Sequence, residues 1–230
     1  MCTAHSPHTI YIEFTRKNAH DNSDSLRTIV QDMIAGADDE GYDAILLCIG
    51  LCGNSTAGIK AIKTKLVMPR AHDCCTIFLG SRHKFRELFK NRPSTPFTSA
   101  GYMERGSSLL HEASEFAAKS GLKQNYKEYV EIYGEENAKY LWETLHQNTE
   151  DNNKDIVFID IPELKGLGYE AKAREWAALN GKNFIYQKGS ISIIKKLLNG
   201  HWDTENFICL NPGEVIDPVY DWDRVVEAKK

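Results

Sequence analysis

Residues 43–58 read DAILLCIGLCGNSTAG, an apolar run that ends in a glycine-rich loop with a cysteine at its turn. A second apolar run, Leu66-Val67-Met68, is followed by His72-Asp73-Cys74-Cys75. Short apolar runs bounded by turn residues are typical of strands buried on both faces of a parallel sheet. Parallel strands of an open α/β sheet deliver their following loops to one edge, where ligands bind. We therefore expect the two cysteine-bearing loops to face one pocket.

The rest of the chain alternates between strand and helix patterns. Alternating or continuous apolar runs predict strands at Thr9–Phe14, Asp43–Gly50, Leu66–Pro69, Ile156–Asp160, Phe184–Tyr186 and Phe207–Leu210. Helical spacing predicts helices after the cap residues of His20–Asp24, from the glycine-rich loop through Lys63, and at Cys74–Phe89, Glu170–Leu179 and Ile191–Leu198. This order predicts an α/β fold with a mostly parallel sheet flanked by helices in Rossmann-like layers.

The middle of the chain interrupts this alternation. A connection rich in Pro, Ser and Thr, Asn91–Arg105, leads into two amphipathic stretches, Leu109–Ser120 and Asn125–Leu145. We interpret residues 105–150 as a helical insertion in a single α/β domain spanning 1–230. The sequence leaves open a second arrangement, in which two similar halves, about 1–104 and 151–230, are joined by that helical segment.

Composition excludes several classes of protein. The chain has 230 residues and a net charge of −4, and its Lys and Arg residues do not cluster, which argues against a nucleic-acid partner. No apolar run approaches the roughly 20 residues of a membrane span, so we expect no membrane association. Met1–His5 has no apolar core of a signal peptide, which predicts a cytoplasmic protein. In that compartment the six cysteines are free thiols or metal ligands.

Cys52 is the first candidate for chemistry. It lies between Gly50 and Gly53 at an expected helix start, where the helix dipole favours a thiolate, so it is a candidate metal ligand or nucleophile. The alternative is a small residue packed in a tight turn. Backbone N–H groups of the same loop, at Gly53, Asn54 and Ser55, would also suit an anion, although the loop lacks the ending of a P-loop.

The second loop combines an imidazole, a carboxylate and a thiol. His72 and Cys74 are of types that coordinate zinc, and His20, which also follows a strand, is a further candidate ligand. Asp73 would act beside the metal, although an Asp here is equally suited to capping the helix that follows.

Two arginines near the same strand end are candidates for substrate binding. Arg70, which with Asp73 is also a candidate catalytic residue, follows the second strand, and Arg82 lies in the helix beyond it. A guanidinium pairs with a carboxylate or phosphate through two hydrogen bonds, so either residue would hold an anionic substrate. A surface salt bridge is the alternative for each.

Several motifs together resemble an uncharacterised bacterial and archaeal family, domain of unknown function 1638. The motifs are Tyr42–Leu47, Gly50–Asn54, Leu66–Cys74, Leu79–Arg82, Tyr133–Ala138 and Leu197–Asp203. The resemblance implies an association with corrinoid-dependent methyl transfer in anaerobes, and a corrinoid protein as a possible partner. It also implies an additional amino-terminal strand ending in a cysteine, for which Cys2 is the nearest counterpart in this sequence.

These observations favour a metal-dependent enzyme that acts on a small metabolite. Cys52 and Cys74, with His72 or His20, would hold a zinc ion, and methyl transfer linked to corrinoid one-carbon metabolism is the first reaction to test. The alternative is a non-catalytic carrier that binds a metal or a corrinoid for a partner enzyme. An iron–sulfur cluster ranks below zinc, because only two of the cysteines are well placed to bind one.

Overall fold

The computed structural model describes residues 6–16, 19, 22–91, 95–104, 154–219 and 221–230. The predictions for Cys2, for His20 and for the two amphipathic stretches between residues 105 and 150 lie outside these ranges. Within them, no helix is both long enough and apolar enough to cross a membrane.

The described elements follow one another in chain order. In the first part of the chain they are α1 (Ser23–Ala37), β1 (Ile45–Leu46), β2 (Leu66–Pro69), α2 (Cys74–Leu79), α3 (Arg82–Phe89), β3 (Phe97–Ser99) and α4 (Ala100–Glu104). After residue 154 they are β4 (Asp155–Asp160), a 3-10 turn (Pro162–Leu164), α5 (Tyr169–Leu179), β5 (Asn183–Lys188), α6 (Ser192–Leu198), β6 (Phe207–Leu210), β7 (Val215–Pro218) and β8 (Val226–Lys229).

The chain divides into two compact units. Residues 1–91 and 189–230 form the first unit, and residues 92–188 form the second. The described strands make three small sheets, of which one is entirely parallel. The α/β class is therefore confirmed, but these small sheets do not form clear Rossmann-like layers. The prediction of a single domain stays a prediction.

The sheet of the first unit is built around β2. This strand pairs in parallel with β1 and antiparallel with β6, so Val67 lies between Leu46 and Cys209. All four residues of β2 are buried, as expected for a strand covered on both faces. Leu66 and Met68 join the core that includes α1, and Val67 packs with α6 on the other face. The antiparallel hairpin of β7 and β8 completes the described strands of this unit.

The second unit contains the parallel sheet. The strand order is β3-β4-β5, with Thr98 opposite Phe158 and Phe158 opposite Tyr186. The central strand β4 is buried over five of its six residues, whereas no residue of the edge strand β5 is fully buried. Ile156 of β4 packs on Ala177 of α5, which gives this unit a core of its own.

Two predicted elements near the amino terminus are wrong. Thr9–Phe14 forms no strand, and the side chains of Tyr11 and Phe14 are 70% and 78% exposed. The glycine-rich loop does not open a helix either. Its continuation instead runs beside β7, where Ala61 N donates to Glu214 O at 2.9 Å and Gly58 N donates to Ile216 O at 2.8 Å.

The helix predicted at Cys74–Phe89 is two helices. Gly80 ends α2 in the left-handed region, with φ of 69°, and Ser81 caps α3 by accepting from Lys84 N at 3.4 Å. A Cβ on Gly80 would lie 2.6 Å from Ser192 Oγ, so this close contact requires glycine. The sequence patterns also missed β3 and the hairpin of β7 and β8.

Candidate functional site

The carboxyl ends of β1 and β2 stay side by side beyond the strands themselves. Leu51 N donates to Ala71 O and Cys52 N donates to His72 O, both at 2.8 Å, which continues the parallel pairing of β1 with β2. A Cβ on Gly50 would lie 2.7 Å from the Cα of Asp73, closer than Cβ atoms approach backbone. Glycine at this position therefore lets the two cysteine-bearing loops meet.

The loops bring the thiols of Cys52 and Cys74 into contact. The side chain of Cys52, 8% exposed, hydrogen-bonds to that of Cys74, which is partly buried. This hydrogen bond raises the pKa of Cys52, and burial and the neighbouring charges of Cys74 and Asp73 raise it further. Cys52 is therefore a protonated thiol at neutral pH and not the thiolate expected from a helix start.

Asp73 is the N-cap of α2, one of the two roles considered for it. Its Oδ1 accepts from Thr76 N at 3.1 Å and so caps α2. Burial, followed by the charge of Cys74, raises the pKa of the Asp73 carboxyl to about 6 despite its backbone hydrogen bonds. The residue is thus both a structural cap and an ionisable group beside the thiol pair.

The turn after Cys52 has an unusual backbone. Cys52, Gly53 and Asn54 all lie in the left-handed region, with φ of 47°, 62° and 66°. Such conformations are uncommon for residues other than glycine, and the surrounding structure must hold them in place. Ser55 Oγ does so by donating to Cys52 O at 2.6 Å, and Arg27 Nη2 donates to Asn54 O at 2.8 Å.

These contacts bear on the anion-binding role predicted for Gly53, Asn54 and Ser55. The Ser55 hydroxyl is committed to the turn, and the carbonyls of Gly53 and Asn54 accept from residues of α1. No helix begins at this loop in the described part of the chain, so no helix dipole adds to the N–H groups on which the prediction relied.

His72 lies in an aromatic cluster. Its ring is 5.1 Å from the rings of both Phe85 and Trp222, and its Nε2 is 3.2 Å from Trp222 O. Burial lowers the pKa of His72 and keeps the ring neutral at physiological pH. Within the described residues, no group of three or more His, Cys, Asp and Glu side chains could hold a metal ion, so His72 does not complete a three-ligand set there with Cys52 and Cys74.

Arg70, at the end of β2, hydrogen-bonds to backbone segments that are distant in the sequence. Its Nε donates to Thr204 O at 2.9 Å, and its Nη1 donates to Arg224 O at 2.9 Å and to Val226 O. Burial, followed by the charge of Arg82, lowers the pKa of Arg70. These contacts give Arg70 a structural role, which is separate from the substrate-binding role predicted for it.

Arg82 retains donors for a ligand. Its side chain is 10% exposed, and its Nη2 is 3.6 Å from Glu205 Oε1. The Nε and Nη1 atoms are buried and have no hydrogen-bond partner among the described residues. Because buried donors without partners cost free energy, an anion at this position would satisfy both. Of the two predicted anion-binding arginines, Arg82 is the one with buried donors that no described residue engages.

A cavity of about 300 Å³ lies along α3. Its lining contains none of the predicted site residues and consists of His83, Arg86, Glu87, Lys90 and Asn91. The thiol pair therefore lies outside this cavity.

Sequence reasoning missed the partners that hold the site from the far end of the chain. Trp222 contacts His72 across 150 positions, and Glu205 pairs with Arg82. Nothing in the local spacing indicates either contact, because both depend on where β6 and the hairpin of β7 and β8 return to the sheet. The capping motif at Asp73 is the part of the site with a local signal.

The chain belongs to the family described as protein of unknown function DUF1638, whose model matches residues 14–198. The match includes both cysteine-bearing loops and confirms the family resemblance seen in the sequence motifs. Neither a curated protein nor a solved structure matches the chain.

Proposed function

We propose that this protein is a metal-dependent enzyme that acts on a small metabolite, and that Cys52 and Cys74 supply the thiolate ligands. The single observation that carries the proposal is the contact between these two thiols at the ends of neighbouring parallel strands. Thiolates prefer zinc and other soft or borderline metals over calcium or magnesium. Paired sulfurs in a largely buried position therefore suit a zinc-like ion.

The residues present fit such an ion in donor type and leave coordination positions open. Catalytic zinc is commonly held by three protein ligands and a water or substrate. Cys52 and Cys74 provide two, and the candidate third ligand, His20, lies outside the described residues. A bound metal would polarise a substrate oxygen or activate a thiol.

The neighbouring residues support this role in different ways. Metal binding requires both thiols to lose their protons, so a metal would reverse the raised pKa of Cys52. Asp73, with its pKa of about 6, is a carboxyl group able to take up a proton beside the thiols. Arg82, whose Nε and Nη1 donors no described residue engages, is the residue we assign to a substrate carboxylate or phosphate.

Metal titration of reduced, anaerobically purified protein tests this proposal. We expect Co²⁺ to produce a sulfur-to-metal absorption band and zinc to bind near one per chain. Both signals should be lost in Cys52→Ser and in Cys74→Ser. Cys209→Ser is the matched control, since Cys209 is an exposed cysteine on β6, and it should bind like the wild type. Full metal binding by either site variant, or none by the wild type, would overturn the proposal.

Methyl transfer is the reaction that we would test first, following the association that the family resemblance implies. The assay mixes the zinc-loaded protein with methylcobalamin and a panel of small acceptors that carry a carboxylate or phosphate. We expect the wild type to remove the methyl group from cobalt. Cys74→Ser should not catalyse this demethylation, and Arg82→Gln should catalyse it more slowly. If the protein binds metal but no acceptor is methylated, this reaction is wrong while the metal site stands.

A carrier protein is the second candidate, and the partial exposure of Cys74 favours it. A metal held by two thiolates with an accessible face exchanges more readily than one in a closed four-ligand site. A carrier should release its zinc to a competing chelator within the time of mixing and show no turnover. An enzyme should retain the metal through turnover.

A further inference from the structure

We infer that Cys52 and Cys74 form a reversible disulfide by exchange with low-molecular-weight disulfides, and that this oxidation switches the metal site off. The formation of the bond rests on the thiol contact alone. Its effect on metal rests on the proposed function.

The backbone geometry favours a bond between these two residues. A disulfide needs Cβ atoms about 4 Å apart, so its two chains must already lie close together. Cys52 N donates to His72 O at 2.8 Å, and the two side chains already hydrogen-bond sulfur to sulfur. The two chains therefore already lie side by side where the bond would form.

The other described cysteines differ in burial and provide controls. Cys75 follows Cys74 directly and is fully buried within α2, whereas the side chain of Cys74 hydrogen-bonds to that of Cys52. Cys48 and Cys209 are exposed. They are open to modification by a small disulfide, which makes them useful controls.

The exchange proceeds in two balanced steps. Cys74, the more exposed of the pair, attacks one sulfur of a small disulfide such as oxidised glutathione, forms a mixed disulfide and releases one molecule of thiol. Cys52 then attacks the Cys74 sulfur and displaces the second thiol. The two protein thiols are oxidised, the small disulfide is reduced to two thiols, and these carry away both protons.

The bond would remove both proposed ligands at once, because metal coordination requires thiolates. A site with Cys52 and Cys74 joined has no thiolate to offer. Reduction by excess thiol restores both ligands. The same pair would thus bind metal under reducing conditions and release it under oxidising ones.

The test equilibrates the full chain in buffers of reduced and oxidised glutathione, blocks free thiols with iodoacetamide and maps the cross-link by mass spectrometry after trypsin. The peptide 28–60 carries Cys48 and Cys52, and the peptide 71–82 carries Cys74 and Cys75. Fragmentation of the linked peptides must therefore identify the joined residues. We expect a Cys52–Cys74 link that persists in Cys48→Ser and disappears in Cys52→Ser and Cys74→Ser.

A link through Cys48 or Cys75, or separate glutathione adducts on Cys52 and Cys74, would overturn the inference. The same samples are then titrated with Co²⁺. Loss of binding on oxidation and its recovery on reduction support the switch. If the link forms but the reduced protein binds no metal, the proposed function fails and the disulfide stands. If the reduced protein binds metal and no link forms, the disulfide fails alone.

Discussion

Asp73 shows at the scale of one residue how a structural role and a chemical role share the same atoms. Its carboxylate stabilises the first turn of α2 by accepting from Thr76 N. Burial beside Cys74 opposes ionisation of the same group and holds its pKa at about 6, above the ordinary 3.8. The hydrogen bond of the cap therefore stabilises the fold, whereas the negative charge of the buried carboxylate lowers the free energy of unfolding at neutral pH.

This conflict predicts a pH dependence of stability. Between pH 3.8 and about 6 the folded state keeps a proton on Asp73 that the unfolded chain has released. Stability therefore falls as pH rises through this window, by at most about 3 kcal/mol, and the penalty is constant above it. Asp73→Asn keeps an acceptor oxygen without the charge, so we expect it to remove this slope and to gain stability above the window.

Urea unfolding at about pH 4 and about pH 7 measures the effect, since the comparison with the wild type cancels other titrating groups. Asp73→Ala is the matched control, because it removes both the charge and the cap. We expect it to lose the slope as well, but to be less stable than Asp73→Asn by about 1 kcal/mol at both pH values. An unchanged slope in Asp73→Asn would show that the carboxyl does not titrate in this window.

The paired ends of β1 and β2 are the element on which the site depends. Gly50→Ala would place a Cβ 2.7 Å from the Asp73 Cα, a backbone atom that cannot turn aside. We expect the loops to separate, with a loss of about 1–3 kcal/mol in stability. We also expect loss of the Cys52–Cys74 cross-link under oxidising conditions and weaker Co²⁺ binding.

Gly36→Ala is the control for this substitution. Gly36 lies in α1 and a Cβ there meets nothing within 4 Å, so alanine should stabilise the protein by about 0.5–1 kcal/mol. Its cross-link and Co²⁺ binding should match the wild type. A Gly50→Ala protein that forms the cross-link as readily as Gly36→Ala would contradict the argument that close approach of these backbones creates the site.

The sequence predicted elements well where local and tertiary preferences agree. β2 is apolar throughout and is buried throughout, and α1 begins at an Asn22 cap followed by helical spacing. The helix expected at Ile59–Lys63 failed because its backbone pairs with β7, where Ile216 N donates to Ile59 O at 2.9 Å. That partner lies about 150 positions away, so its local apolar spacing, which suits a helix, could not reveal it.

Some features of the candidate site were likewise predictable from local sequence, and others were not. The cap at Asp73 and the convergence of two strand ends follow from local pattern and parallel topology. The protonated state of Cys52 does not, because it depends on the Cys74 sulfur and on burial. The placement of His72 against Trp222 also depends on a distant segment. Sequence thus indicated which strand ends meet, but the ionisation and partners of the groups at those ends required the tertiary structure.

At the scale of the whole molecule, the site and its supporting core belong to one unit. The cores around β2 draw on residues of 1–91 and 189–230, including Leu26, Met68, Leu210 and Val226. The described core of residues 92–188 is separate and includes Ile156 and Ala177. The first unit thus buries its own apolar surface, which is the main requirement for independent folding.

We therefore expect the first unit to fold and to keep its chemistry when residues 92–188 are replaced by a flexible Gly/Ser linker, tested over a series of linker lengths. The shortened chain should unfold in one cooperative transition and form the Cys52–Cys74 cross-link in oxidised glutathione. It should also bind Co²⁺ like the full chain if the metal proposal holds. The same deletion carrying Cys74→Ser should fold equally well but form no cross-link. If the shortened chain unfolds cooperatively but forms no cross-link, residues 92–188 help to set the geometry of the thiols. If it shows no cooperative unfolding transition at any linker length, the core of the first unit is not sufficient for folding by itself.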